Sequence, residues 1–314
     1  MDFCFLGNSY FSVVVLNNLL EQGFVPELII TTSPKPVGRK QEITPNEVDV
    51  FAKEHNIRTF YADDLKSEEF LENLKKEKID CAILASFGKI IPRRMLKLFP
   101  CGILNIHPSL LPKYRGPSPI QTALLNQDTE TGTTLFIIDE GIDNGPIIGQ
   151  MHQAIEINDD FTTLSEKLAI LGAKLVINLG PQFKQGKVSV KPQRDQDATF
   201  TNKFKREDGK IDWNNPANKI FGQIKALSKE PGTYCFFEKD GEQVNLKIHQ
   251  ANLIPLDDKS DFAKISPGTV INHENHLLVT TNNGLIDLLF VQPEGKTIMS
   301  GSAFLNGNKI SKLC

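Results

Sequence analysis

Gly102-Ile-Leu-Asn-Ile-His-Pro-Ser-Leu-Leu-Pro-Lys-Tyr-Arg-Gly116 is a short, largely apolar run that breaks into a loop crowded with polar and proline residues. Four more runs share the texture of its first half: Phe3 to Leu6, Glu27 to Thr31, Cys81 to Ala85 and Thr134 to Ile138. Helical patterns lie between them. Phe11 to Gln22 places Val14, Val15, Leu16, Leu19 and Leu20 on one face, and Thr44-Pro-Asn-Glu47 reads as a capping box opening a helix from Pro45 towards His55. After Asp160, Leu164, Leu168, Leu171, Leu175 and Leu179 recur at spacings of three and four, up to a stop expected at Gly180-Pro181. Strands alternating with helices over about 180 residues imply βαβ units and a mainly parallel sheet.

The texture then changes. From Gly186 to Asp208 the chain is polar and without period, and beyond it short strands are set off by turn signals: Gly232 to Phe237, Asp240-Gly241, Val244 to His249, Pro267-Gly268, Leu277 to Thr281, Asn283-Gly284 and Leu285 to Val291. Strands at that spacing point to a small barrel or sandwich, preceded by one helix from Pro216 to Leu227. The expected organisation is an α/β domain over residues 1–185, a linker over 186–208 and a β domain over 209–314, in keeping with a length of 314 residues.

Composition narrows the class. Hydrophobic residues make up 40% and charged residues 23%, as in a folded globular chain. The longest apolar run, Val13 to Leu16 extended by Leu19 and Leu20, is too short to span a bilayer, and Met1-Asp2-Phe3 lacks the positive region of a signal peptide, so a cytoplasmic protein is expected. Five cysteines form no Cys-x-x-Cys pair, which argues for buried thiols in a reducing compartment and against a zinc site. Net charge is −3, and residues 201–314 hold 14 Lys and Arg against 13 Asp and Glu, so an RNA partner would need a local basic surface. Phe5-Leu-Gly-Asn-Ser-Tyr-Phe11 follows the first strand where a nicotinamide-binding glycine fingerprint would stand.

Two segments carry chemistry. Asn105 and His107 are two apart on an extended strand, so both side chains share one face at its carboxyl end, where open α/β sheets bind ligands. An amide to stabilise an oxyanion beside an imidazole that moves protons near neutral pH suits acyl transfer. The same pair could equally tie down a loop. Asp139-Glu-Gly-Ile-Asp-Asn-Gly-Pro146 follows another strand; it is either a solvated turn or the source of a carboxylate that orients His107.

Asn105-Ile-His-Pro-Ser-Leu-Leu-Pro-Lys-Tyr-Arg-Gly116, with Asp143 following 36 residues after His107 inside Gly-Ile-Asp-Asn-Gly, resembles the signature of folate-dependent formyltransferases. The resemblance implies a Rossmann-like, mainly parallel sheet with helices on both faces, followed by an OB-like β-barrel. It also implies a catalytic trio of Asn105, His107 and Asp143, 10-formyltetrahydrofolate as co-substrate and no metal. Ser86-Phe-Gly-Lys-Ile-Ile-Pro92 is similar to the segment whose backbone holds the pterin, which assigns folate contacts to Phe87, Gly88 and Ile90, joined by Ser109, Leu110, Pro112, Asp139 and Gly141.

Thr32-Ser-Pro-Lys-Pro-Val-Gly-Arg-Lys40 resembles the loop that reaches the acceptor end of tRNA in the tRNA-acting branch, implying tRNA contacts by Lys35, Arg39, Lys40 and Arg115. Gly209 to Trp213, Val291 to Ser300 and Phe304 to Gly307 resemble the β domain appended in that branch, and Trp213 is expected to anchor its core. The implied reaction transfers a formyl group to the amino group of methionyl initiator tRNA at the start of translation, by a protein expected to be a monomer. A formyltransferase acting on a nucleotide-linked amino sugar, and an RNA-binding protein without activity, are the rival readings.

Overall fold

The structure, a computed structural model, describes residues 1–38, 41–255 and 265–314. Two compact units emerge. The first holds Met1–Pro119, Thr129–Glu156 and Thr163–Asn202, and the second holds Ile120–Asp128, Ile157–Thr162 and Lys203–Cys314.

In the first unit the chain runs β1 (Cys4–Leu6), α1 (Tyr10–Glu21), β2 (Leu28–Thr31), β3 (Lys35–Val37), β4 (Glu42–Thr44), α2 (Glu47–Glu54), β5 (Thr59–Tyr61), α3 (Glu68–Lys76), β6 (Ala82–Leu84), α4 (Arg93–Leu96) and β7 (Ile103–His107). β8 (Glu130–Ile137), β9 (Ile147–Ala154) and most of α6 (Phe161–Lys184) complete this unit, while α5 (Pro119–Leu125), which precedes them in the chain, falls almost wholly in the second. Seven strands form one sheet in the order β5-β2-β1-β6-β7-β8-β9. The first five are parallel, and β8 and β9 extend the sheet antiparallel. Strand order reverses between β1 and β6, which opens a crevice at their carboxyl ends.

Alternate residues face opposite helical layers. Cys4, Leu6, Leu28, Ile30, Leu84 and Ile103 share a core with Leu71 and Leu74 of α3 and Met95 of α4. On the other face, Thr133 of β8 donates its hydroxyl to the Leu168 carbonyl of α6 at 2.8 Å.

Two local expectations are corrected. Asn46, not Thr44, caps α2: its Oδ1 accepts from the amides of Val48 and Asp49, while Thr44 pairs with Lys35 in the β3–β4 hairpin. The long helix does not stop at Gly180-Pro181 but continues through Pro181 to Lys184. The chain leaves it at Gly186, whose φ of +69° and amide bond to the Phe183 carbonyl end the last turn.

The second unit carries α7 (Ala217–Leu227), β10 (Thr233–Lys239), β11 (Glu242–Pro255), β12 (Val270–His273), β13 (His276–Thr280), β14 (Gly284–Pro293), β15 (Met299–Ser300) and α8 (Gly301–Gly307). Five strands run β10-β11-β14-β13-β12, with β15 added to β14, and each paired neighbour is antiparallel. The last four residues join the two edges. Phe236 of β10 and Cys314 exchange amide–carbonyl bonds at 2.8 Å, and Val270 of β12 donates to the Ser311 carbonyl at 2.9 Å. These bonds bridge the two edges, in keeping with a small barrel-like domain. Its core gathers Ile220 and Ile224 of α7, Leu246, Ile248, Ile286 and Leu288 of the strands, and Phe304 of α8. Trp213 is buried in the same core.

Candidate active site

Asn105 and His107 both lie on β7 and, as their spacing requires, on the same face as Ile103. Both are buried, at 8% and 4% exposure. The loop that follows is fixed by side chains of the antiparallel extension: Thr134 of β8 donates to the Ser109 carbonyl and accepts from the Leu111 amide, while Gln150 of β9 donates to both Thr134 and the Leu111 carbonyl. The loop curls back, so that His107 Nε2 lies 2.9 Å from the Tyr114 carbonyl. A carbonyl can only accept, so Nε2 bears the hydrogen and Nδ1 is the nitrogen that exchanges a proton. The ring meets Phe136 edge-on, with centroids 6.3 Å apart.

Nδ1 faces Asp143. Its carboxylate Oδ2 is 3.7 Å away and accepts a 2.8 Å bond from the Gly116 amide. Asp143 therefore bridges the 107–116 loop and the turn after β8. Its φ is +49°, a left-handed conformation that aspartate tolerates better than most residues. At Gly145 a side chain is barred, because a Cβ there would fall 1.8 Å from the Ile137 carbonyl oxygen. Among the described residues no hydrogen bond engages the Asn105 amide, and it is not sealed from solvent, so a ligand atom or a water can reach it.

The crevice at the β1–β6 mouth adjoins this cluster through β6 and β7. There the Asn8 side chain donates to the Phe87 carbonyl, Ser12 Oγ to the Ala85 carbonyl, and Ser9 Oγ to Ser86 Oγ. Phe87 is buried, Gly88 has a φ of +74° and Ile90 is 93% exposed. Ser109 is buried with its hydroxyl donating to the Lys113 carbonyl, and Leu110 and Pro112 are half-buried. Asp139 and Gly141 are both exposed, the Gly141 amide donating to Asp139 Oδ1 at 3.0 Å. Arg93 pairs with Glu140 at 2.9 Å, bringing the start of α4 against the turn after β8.

The four cations expected to meet tRNA divide. Lys35 is exposed on β3, whereas Arg39 and Lys40 lie outside the described residues. Arg115 is buried and engaged: Nε donates to Gln193 at 3.0 Å and Nη2 to Asp195 at 2.9 Å, with the guanidinium 6.0 Å from the Phe200 ring centre. The Gln193 amide in turn donates to the Asp143 and Gly145 carbonyls, both at 2.8 Å. Thr199 and Thr201 hold the same loop, Thr199 Oγ1 accepting from the Tyr114 amide and the Thr201 amide donating to the Arg115 carbonyl. These polar contacts belong to a stretch whose lack of period suggests only a linker.

Among the described residues no three His, Cys, Asp or Glu side chains gather as metal ligands would, and no helix is long and apolar enough to cross a membrane.

Residues 3–179 match the family described as formyl transferase, and residues 203–309 match the formyl transferase C-terminal domain. The methionyl-tRNA formyltransferase of Thermodesulfovibrio yellowstonii is 36% identical over 308 residues, covering 98% of this chain and 96% of its own. That of Caldicellulosiruptor saccharolyticus is 38% identical over 315 residues, covering 99% and 98%. Among solved structures, an N-formyltransferase from Helicobacter canadensis, crystallised with folinic acid and dTDP-3-aminofucose, superposes with a TM-score of 0.64 at 21% identity, over 92% of this chain and 98% of its own. HypX from Aquifex aeolicus, in complex with tetrahydrofolic acid, gives 0.68 at 16% identity, over 97% of this chain and 47% of its own. These last two speak to the fold. Identity above one third along the whole length of such relatives, with both family domains matched in order, places the chain in the formyltransferase family, within its methionyl-tRNA formyltransferase branch.

Proposed function

We propose that this enzyme transfers the formyl group of 10-formyltetrahydrofolate to the α-amino group of methionyl initiator tRNA, without a metal, as a cytoplasmic monomer. Formyl transfer is assigned to residues 1–185 and tRNA binding to residues 209–314, with 186–208 between them. The observation that carries the reading is the convergence of an amide without a protein partner but open to solvent, an imidazole and a carboxylate at the sheet mouth.

Attack of the amine on the formyl carbon puts negative charge on the formyl oxygen, and Asn105 supplies the amide donor for it. The attacking nitrogen must shed a proton and the departing folate nitrogen must gain one. His107 serves both transfers through Nδ1, while the Tyr114 carbonyl holds Nε2–H and thereby the tautomer. When Nδ1 is protonated, Asp143 at 3.7 Å stabilises the imidazolium, its own orientation fixed by the Gly116 amide. The folate contacts assigned to Phe87, Gly88, Ile90, Ser109, Leu110, Pro112, Asp139 and Gly141 are supported by their positions on the loops that leave β6, β7 and β8. The full-length likeness to methionyl-tRNA formyltransferases and the exposed Lys35 hairpin favour a tRNA acceptor, contacted also by Arg39 and Lys40.

The test is direct. Purified enzyme is given formyl-folate with either methionyl initiator tRNA or a nucleotide-linked amino sugar, and the formylated product is identified by mass. Formyl-methionyl-tRNA is expected; formylation of the sugar alone would assign the acceptor to the rival class, and no product from either would remove the activity.

A further inference from the structure

Asp143 sits in a turn that favours glycine, yet its carboxylate must meet two partners on a different loop. Inside the turn the Asp139 carboxylate accepts from the Gly141 amide and Gly145 packs against the Ile137 carbonyl. The Gln193 side chain adds a long-range hold: Nε2 donates at 2.8 Å to the carbonyls of both Asp143 and Gly145, spanning the turn on either side of Asn144. The opposite end of the same amide is equally determined. Oε1 accepts from Arg115 Nε at 3.0 Å, and a guanidinium only donates, so the amide has a single orientation that satisfies both sides. Arg115 is enclosed, and its Nη2 also pairs at 2.9 Å with Asp195, whose side chain is exposed, so burial of Arg115 itself keeps the donor in place. One residue after Arg115, the Gly116 amide reaches the Asp143 carboxylate. The circuit Arg115, Gln193, Asp143, Gly116 therefore closes on itself and joins two loops at two points.

We propose that Gln193 is a positioning residue for the formyl transfer reaction, a side-chain clamp that holds the Asp143 turn in register with His107 through the buried Arg115 and its Asp195 partner. The inference rests on the catalytic role given to Asp143 above. Gln193 acts through Asp143 and needs no contact with substrate.

The experiment pairs kinetics with a readout independent of activity. Gln193→Ala and Gln193→Glu are made in the natural sequence and in an Asp143→Asn background. The Glu variant can still meet Arg115 but turns a carboxylate oxygen towards the two carbonyls, so it keeps the anchor and loses the clamp. Each single variant is expected to lower kcat about tenfold or more, with KM for formyl-folate changed less than about twofold. In the Asp143→Asn background either substitution should add less than about twofold, because the group it positions is already gone. Equal losses in both backgrounds would overturn the proposal.

Amide hydrogen exchange by NMR supplies the second reading. The Gly116 amide, protected by Asp143, should exchange at least about tenfold faster in both Gln193 variants, while the Leu111 amide, bonded to Thr134, keeps its rate. Unchanged Gly116 exchange would refute the clamp, even if Gln193→Ala folded poorly and only Gln193→Glu could be measured. Inactive natural enzyme with accelerated Gly116 exchange in the variants would instead uphold the clamp and sink the activity it was argued to serve.

Discussion

Two loops leave the carboxyl ends of the same parallel sheet and are built on opposite plans. The 107–116 loop is held by partners mostly far along the chain, up to 86 residues away: Thr134 on Leu111, Asp143 on Gly116, Gln193 and Asp195 on Arg115 and Thr201 on the Arg115 carbonyl. In the β3–β4 hairpin every residue of both strands is exposed, and its internal side-chain bonds reach two or three residues, from Gln41 to the Gly38 carbonyl and from Thr44 to the Glu42 carbonyl. Among the described residues, the chain beyond the hairpin grips its base, through Ser33 with Asp63 and Thr32 with Asn8 and Asn46. Groups that exchange protons must be set within fractions of an ångström, whereas an arm that meets phosphates gains from reach and charge.

The largest effect is expected where the first plan meets chemistry. His107→Ala should lower kcat on the order of 10²-fold or more, and Asn105→Ala about 10²- to 10³-fold, with folding unchanged by circular dichroism. Near-normal turnover by a folded His107→Ala protein would break the comparison outright, since the clamped loop would then be positioning nothing.

Next comes rigidity itself. Gly116 has a φ of +107°, and a Cβ there would lie 2.8 Å from the Thr201 carbonyl oxygen. Gly116→Ala is therefore expected to cost about 1–3 kcal/mol, read as a lower thermal midpoint, and to disturb the Asp143 contact made by the same amide. An equivalent substitution at Gly38, whose Cβ would meet nothing within 4 Å, carries only the strain of its φ of +72° and should cost less. Equal losses at the two glycines would erase the distinction between the loops.

How much of this is legible in the sequence follows the same division. Asn105 and His107 stand out because strand alternation places them on one face, and the resemblance to folate-dependent formyltransferases is what adds Asp143. Gln193, Asp195, Thr199 and Thr201 cannot, because their partners lie 48 to 86 residues distant, and a polar stretch without period looks the same whether it is solvated or clamped. A rule that holds on average makes Pro181 a helix stop, but the segment continues, with Val176 and Gly180 packed in the interior before Gly186 ends it. Thr44 and Asn46 are both capping residues within one turn of the helix, and only pairing across the hairpin decides between them. The bridging of the two edges by residues 311–314 is likewise a long-range fact, carried by main-chain bonds that no residue type announces.

The hairpin's charge gives a smaller and different signature. Replacing Lys35, Arg39 and Lys40 together by Ala should raise KM for charged tRNA by about tenfold while leaving KM for formyl-folate within about twofold. Against log salt concentration, the slope of tRNA affinity should flatten by about 0.7 for each phosphate no longer neutralised. A matching loss for both substrates would place the hairpin with the clamped loop rather than opposite it.

The mildest test addresses the hairpin's base. Donation by the Ser33 hydroxyl, helped by the Ser33 amide and by the charges of Lys89 and Lys35, holds the Asp63 carboxyl below its ordinary value. A carboxylate with a depressed pKa contributes its stabilisation fully above the unfolded value, about 3.9, and loses it as pH falls through the lower folded one. The Ser33–Asp63 contact should therefore stay intact throughout the neutral range and release only below about pH 4, which an NMR titration of the Ser33 amide would follow. Asp63 is exposed, so Asp63→Asn should shift overall stability little. Its mark would be local, abolishing the acid transition at Ser33 and leaving Gly116 untouched. A transition at Ser33 centred above the ordinary aspartate value would mean that the hydroxyl does not donate there, leaving the hairpin's base to the bonds of Thr32 with Asn8 and Asn46.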